Sequence, residues 1–80
     1  MNEPYQPVAC ALHDKYEIAI MFNKHIDIEW LDENGDQHTA SVLPVDLLVK
    51  NGEEFLLARL ADNEELCVRL DRVTLREWSL

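Results

Sequence analysis

The sequence predicts an α+β fold that is mostly β, with one N-terminal helix packed on a small, strongly bent antiparallel sheet or barrel of about five strands. Apolar residues with helical spacing cover residues 11–23. Short segments that alternate apolar and polar residues then fill residues 25–78, and turn-forming residues separate them at regular intervals. Eighty residues are enough for one domain, so residues 1–80 are assigned to a single unit.

The predicted helix has two distinct faces on a 3.6-residue period. Its core face comprises Leu12, Tyr16, Ala19 and Phe22. The opposite, outer face carries Asp14, Glu17 and Met21, which combine two carboxylates with one soft apolar side chain. We interpret this acidic face as the surface that the remaining chain holds out to a partner.

Two alternatives to this helix stay open. The run from Ile18 to Phe22 is rich enough in β-formers to be a buried strand. A helix that begins later would use Asp14 as its N-cap with Glu17 at the third position, so that both carboxylates serve as caps. Residues 1–10 are expected to form an extended arm, because two prolines disfavour helix there.

The next segments predict a hairpin. The first strand, within residues 25–31, places Ile26, Ile28 and Trp30 on its inner face. The dipeptide Asn34-Gly35 is a strong hairpin signal, and the return strand is expected over residues 37–43, with Pro44 ending it. Residues 45–51 could form either a short helical turn or a bent strand, closed by a turn at Asn51-Gly52.

Three further strands complete the predicted sheet. They are Glu53–Leu60, Glu65–Leu70 and Arg72–Trp78, with a hairpin turn over residues 61–64. Alternation in the second of these strands predicts that Cys67 and Arg69 point outward or lie at an edge. Trp78 could close the barrel or contact a partner, and the sequence leaves both open.

Composition narrows the classes of function that the chain can have. The chain has 16 Asp and Glu against 7 Lys and Arg, a formal charge of −9, which argues against direct binding to nucleic acid and favours a partner with a basic surface. Two cysteines do not make a disulfide scaffold. The first residues do not resemble a signal peptide, and the longest apolar run of five residues cannot span a bilayer, so we expect a cytoplasmic protein without membrane association.

The chain shows no recognised catalytic pattern. Nucleophile motifs, Gly-rich phosphate loops and metalloprotease patterns are missing, so no enzyme activity and no cofactor are expected. The pair Cys10-x-x-His13 is an incomplete metal-binding spacing, and no metal site is predicted from it.

Several local patterns occur together in a fixed order. They are Tyr5-Gln6-Pro7-Val8 before Cys10, the acidic helix with Asp14 and Glu17, the Lys50-Asn51 loop ahead of an apolar strand, and Leu70-Asp71-Arg72-Val73-Thr74. Together they resemble the Rof family, also called YaeO, of small inhibitors of the transcription terminator Rho. The resemblance covers about residues 4–78.

This resemblance implies a helix packed on an Sm-like barrel that binds the N-terminal RNA-binding region of Rho and blocks RNA from its primary site. The positions that match the family's binding residues are Asp14, Glu17, Lys50 and Asn51. Desolvated contacts would come from Met21 and Tyr5. The family carries more acidic residues just ahead of the helix, where this chain has Ala11-Leu12-His13. We expect a monomer when the protein is free.

Two other classes of function remain. An Sm-like barrel could bind RNA directly, although the charge of −9 opposes this. The chain could also be a structural subunit of an unrelated assembly.

Overall fold

The computed structural model describes the backbone of residues 10–77 and the side chains of residues 12–76. It contains one helix followed by a five-stranded antiparallel sheet, which confirms the α+β, mostly β class. In chain order the elements are α1 (Cys10–Met21), β1 (Ile26–Leu31), β2 (Gln37–Lys50), β3 (Glu53–Arg59), β4 (Glu65–Arg69), a 3₁₀ helix (Leu70–Arg72) and β5 (Val73–Glu77).

The sheet is strongly bent, as its connectivity requires. The strand order is β4-β3-β2-β1-β5, so the two edge strands β4 and β5 are also consecutive in the chain. In a flat sheet the edges would lie about 19 Å apart, since neighbouring strands are separated by about 4.8 Å. The 3₁₀ helix that joins them has three residues and spans about 6 Å. The two edges must therefore curl towards each other at this corner.

The strand β2 is longer than the sequence predicted. It continues through Pro44, so the expectation that this proline ends the strand is wrong. Its first part pairs with β1 and its second part with β3, and the register shifts between Pro44 and Asp46. Val45 is left unpaired there as a bulge, where a ladder donor is not needed and proline is tolerated. Residues 45–50 are thus a bent strand and not a helical turn.

The two Asn-Gly dipeptides form different hairpin turns. Asn51 and Gly52 both have positive φ, 53° and 77°, as a two-residue turn of the I′ kind requires. The hairpin predicted at Asn34-Gly35 is also confirmed, but its loop is longer, with Gly35 at φ 85°. The Asp32 carboxylate accepts the amides of Asn34 and Asp36 in this loop. The hydrogen bond from His38, helped by these amides, lowers the pKa of Asp32.

The helix ends earlier than its apolar spacing suggested. The amides of Asn23 and Lys24 donate to the carbonyls of Ile20 and Ala19, and Asn23 has φ 54°, which together form a Schellman cap. Phe22 therefore lies at the end of α1 and is 60% exposed, so its assignment to the core is wrong.

The rest of the predicted helical core face is confirmed. Tyr16 and Ala19 are fully buried, and Leu12 packs against the core. Because α1 begins at Cys10 and runs through Met21, Asp14 is inside the helix, which rules out both the N-cap and the strand alternatives. The inner face of β1 is also confirmed. The buried core comprises Tyr16, Ala19, Ile26, Ile28, Trp30, Val42, Leu56, Ala58, Val68, Leu70 and Val73.

The prediction for the outer face of β4 holds only in part. Cys67 is exposed on this edge strand, as expected. Arg69 is only 8% exposed, so the expectation that it points outward is wrong. Its Nε and Nη2 donate to the two carboxylate oxygens of Asp71, at 3.0 Å and 2.5 Å. This pairing explains how a cation can be buried at the end of β4. The last strand begins at Val73, and Trp78 lies outside the described residues.

The core contains one buried polar side-chain atom without a hydrogen-bond partner among the described residues. The hydroxyl of Tyr16 has no hydrogen-bond partner among the described residues, and burial raises its pKa to about 12. An unpartnered buried hydroxyl destabilises the folded state. We expect Tyr16→Phe to raise the free energy of unfolding by about 1 kcal/mol, measured by urea denaturation. A clear loss of stability would show that the hydroxyl has a partner in solution.

Candidate functional site

The outer face of α1 carries the side chains that the sequence placed there. Asp14 and Glu17 are exposed, and Met21 is 70% exposed. The three positions are three and four residues apart, so their side chains lie on one side of the helix. Among the described residues the Asp14 carboxylate has no hydrogen-bond or ion-pair partner. It is available to a partner molecule.

His13 joins this face of the helix to the sheet. Its Nδ1 lies 3.0 Å from Oε1 of Glu17, one turn further along α1. Its Nε2 lies 2.6 Å from Oε2 of Glu54 on β3. His13 and Glu54 are both partly buried, whereas Glu17 keeps more than half of its side chain exposed. The Glu17 carboxylate therefore contacts His13 through one oxygen and remains accessible to solvent.

This contact places the first half of α1 beside the β2–β3 hairpin. Glu54 is paired with Val49, and the next pair in the ladder, Lys50 with Glu53, adjoins the turn at Asn51. Lys50 and Asn51 are thus one and two residues beyond Val49, whose ladder partner Glu54 contacts the helix at His13. The first half of α1 and the β2–β3 hairpin therefore form one corner of the molecule, where His13 links Glu17 to β3, the strand that follows the predicted loop.

Strand geometry separates the side chains at this corner. Successive side chains of a strand point to opposite faces. Leu47 and Leu56 pack into the core on the face that carries α1, so Val49 and Glu54 belong to that face and Lys50 to the other. Val49 is 73% exposed although it is on the helix side. The exposed residue of β2 on the helix side of the hairpin is therefore Val49, with Asn51 at the tip.

The candidate binding surface, formed by α1 and the β2–β3 hairpin, includes three residues that sequence reasoning did not assign to it. They are His13, Phe22 and Val49. The signal for Val49 was present, because the alternation from Leu47 places it opposite to Lys50. The exposure of Phe22 follows from the helix cap at Asn23. The contact of His13 spans 41 residues and has no local signal in the sequence. Tyr5, the remaining predicted contact, lies outside the described residues.

The charges around His13 define its hydrogen bonding. Both ring nitrogens face carboxylate oxygens at hydrogen-bonding distance. A neutral imidazole has one N–H donor, whereas the protonated ring has two. Ionised carboxylates only accept, so the protonated form of His13 satisfies both contacts at once.

A concave feature extends from the β1–β2 turn to Glu53 of the β2–β3 hairpin. A groove of about 270 Å³ contains the aromatic side chains Trp30 and Phe55 together with the cations Arg69 and Arg72. Three carboxylates also line it, those of Asp32, Glu33 and Glu53. Arg69 is already engaged by Asp71 and Glu53. Because negative groups outnumber the guanidiniums, the groove does not favour phosphate groups.

Other kinds of site find no support in the part of the chain that the structure describes. Over these residues no cluster of three or more His, Cys, Asp or Glu side chains is placed to hold a metal ion. Within the same range, no helix has the length and apolar character that crossing a membrane requires. Cys10 of the incomplete Cys10-x-x-His13 spacing lies outside the side chains described.

Comparisons of the chain with protein-family models, with curated proteins and with solved structures found no match. The function is therefore inferred from the geometry of the corner between α1 and the β2–β3 hairpin and from the family resemblance of the sequence.

Proposed function

We propose that this protein inhibits Rho-dependent transcription termination by binding the N-terminal RNA-binding region of Rho and excluding RNA from the primary site. In this role it is a non-enzymatic cytoplasmic regulator without a cofactor, monomeric until it meets Rho. The observation that carries the proposal is the exposed pair Asp14 and Glu17 on a helix that is fixed to a rigid sheet. The resemblance to the Rof family supplies the identity of the partner.

The physical basis is charge mimicry. A protein that binds RNA presents basic groups where phosphates lie, and carboxylates on a rigid helix can occupy those positions. The net charge of −9 adds long-range attraction towards such a surface. Exposed ion pairs each stabilise a complex by only about 0.2–1 kcal/mol, so they mainly set the association rate and the salt sensitivity.

Affinity requires apolar contacts that exclude water, and exposed apolar side chains lie both at the end of α1 and at the β2–β3 hairpin. Met21 and Phe22 are exposed at the end of the helix, and Val49 is exposed beside its first half. Exposed apolar side chains next to charged ones are typical of protein interaction sites. Asn51 adds polar groups at the hairpin tip. We expect these side chains to surround the carboxylates in the complex.

The experiment that tests this function is a competition assay. Purified Rho is loaded with labelled single-stranded RNA, and the protein is titrated in while RNA binding is followed by fluorescence anisotropy. We expect RNA to be displaced and, in a transcription reaction, readthrough of a Rho-dependent terminator to increase. RNA that stays bound at saturating protein would contradict the proposal. Retention of the RNA by the protein alone in a filter-binding assay at moderate salt would instead favour direct RNA binding.

A further inference from the structure

Among the described histidines, His13 is the one whose ring contacts two carboxylates from different elements. We propose that His13 is a positioning residue of the partner-binding surface. Its ring bridges Glu17 of α1 and Glu54 of β3, and so fixes the acidic face of α1 relative to the β2–β3 hairpin. This inference rests on the proposed function, because the surface it organises is the one that would bind Rho.

The geometry gives His13 this role. The ring bridges a residue of α1 at 3.0 Å and a residue of β3 at 2.6 Å. Glu54 is paired with Val49 and adjoins the hairpin turn. A displacement of the helix at its first half would therefore change the spacing between Glu17 and both Val49 and Asn51. Interfaces need such groups held in one arrangement, because ordering them during binding lowers affinity.

The two contacts of the bridge each require an N–H donor on the His13 ring. The described groups that face it are Glu17 from its own helix and Glu54 from β3. The neighbouring position of β2 is Val49, which is uncharged, and Lys50 points to the opposite face of the sheet. When the ring becomes neutral, one of its nitrogens turns from a donor into an acceptor that faces a carboxylate. One of the two contacts is then lost.

A second histidine provides a matched control. His38 also contacts a carboxylate, Oδ2 of Asp32 at 2.8 Å, and its ring stacks on Trp30. It lies at the other end of β2, beside the β1–β2 turn. His38→Gln therefore removes a histidine–carboxylate contact of the same kind without touching the helix. His13→Gln removes the bridge, since one amide group cannot reproduce two opposed N–H donors.

The closing experiment measures association and dissociation rates with Rho by surface plasmon resonance. We expect His13→Gln to raise the dissociation rate by about tenfold, the loss expected for a hydrogen bond to a charged group, with little change in the association rate.

The outcomes separate the inference from the function. If wild-type protein fails to bind Rho, the proposed function is wrong. If it binds and His13→Gln dissociates at the rate of wild type and His38→Gln, the positioning role is wrong. In the free protein, proton spectra at low pH should show both N–H protons of the His13 ring slowed in exchange with water. Rapid exchange of either proton would also overturn the bridge.

Discussion

Reversing both charges of the acidic face is expected to weaken binding to Rho about a hundredfold at moderate salt. The double variant Asp14→Lys, Glu17→Lys replaces two attractions to a basic surface by two repulsions. With about 0.2–1 kcal/mol for each exposed pair and additional cost for like charges in contact, we expect a loss on the order of 3 kcal/mol, or about a hundredfold in affinity. Isothermal titration calorimetry with Rho measures this loss. Both positions are exposed, so circular dichroism should show that the variant stays folded.

The control for this variant changes the net charge equally at another place. Glu64 and Glu65 are exposed at the β3–β4 turn, at the opposite end of β3 from Glu54. Glu64→Lys with Glu65→Lys should therefore lower the association rate slightly, through the total charge, and leave the dissociation rate unchanged. Equal binding by the folded Asp14 and Glu17 variant would remove the proposed site. Equal loss in both double variants would mean that total charge, and not a specific face, determines binding.

Periodicity predicted the elements that are regular over their whole length. The alternation of Ile26, Ile28 and Trp30 correctly gave β1 and its buried face. The 3.6-residue spacing correctly placed Tyr16 and Ala19 in the core. These signals work because one buried face constrains every second or every third to fourth residue. The same reasoning correctly left Asp14 and Glu17 on the surface of α1.

Local rules failed where tertiary structure overrides them. Pro44 normally ends a strand, but the bend that moves β2 from β1 to β3 contains a bulge, and a bulge tolerates the missing amide donor. Phe22 fits the helical spacing, but Asn23 adopts positive φ and ends the helix before the phenylalanine can turn inward. Asn is one of the few residues that accept this conformation, so the signal could have been found.

Contacts between distant residues could not be predicted from the sequence. The bridge from His13 to Glu54 joins positions 41 residues apart, and nothing in either segment specifies the other. The corner shared by α1 and the β2–β3 hairpin is a product of this packing. The family resemblance pointed to both segments, whereas the residues that join them came only from the structure. The buried Arg69 is another example, because alternation alone predicted an exposed side chain.

Arg69→Ala is expected to destabilise the fold by about 4 kcal/mol, since it breaks a buried ion pair with Asp71 and removes the contact with Glu53. Both Arg69 and Asp71 have side chains only 8% exposed, and two nitrogens of the guanidinium bind the two carboxylate oxygens. Glu53 lies 3.6 Å away and is more exposed, so water can compensate it. A loss of this size is a large fraction of the stability of a small domain. Urea denaturation measures it as a lower midpoint.

Two comparisons test the cause of this loss. The exposed Arg76 lies 3.8 Å from the partly buried Glu29, so Arg76→Ala should change the free energy of unfolding by less than about 1 kcal/mol. Arg69→Met combined with Asp71→Asn should recover most of the stability, because the pair is then replaced by groups without charge and of similar volume. If Arg69→Ala costs no more than Arg76→Ala, the guanidinium is solvated and not buried. If the double variant is as unstable as Arg69→Ala, then the hydrogen bonds of the guanidinium, which neither variant makes, account for the loss.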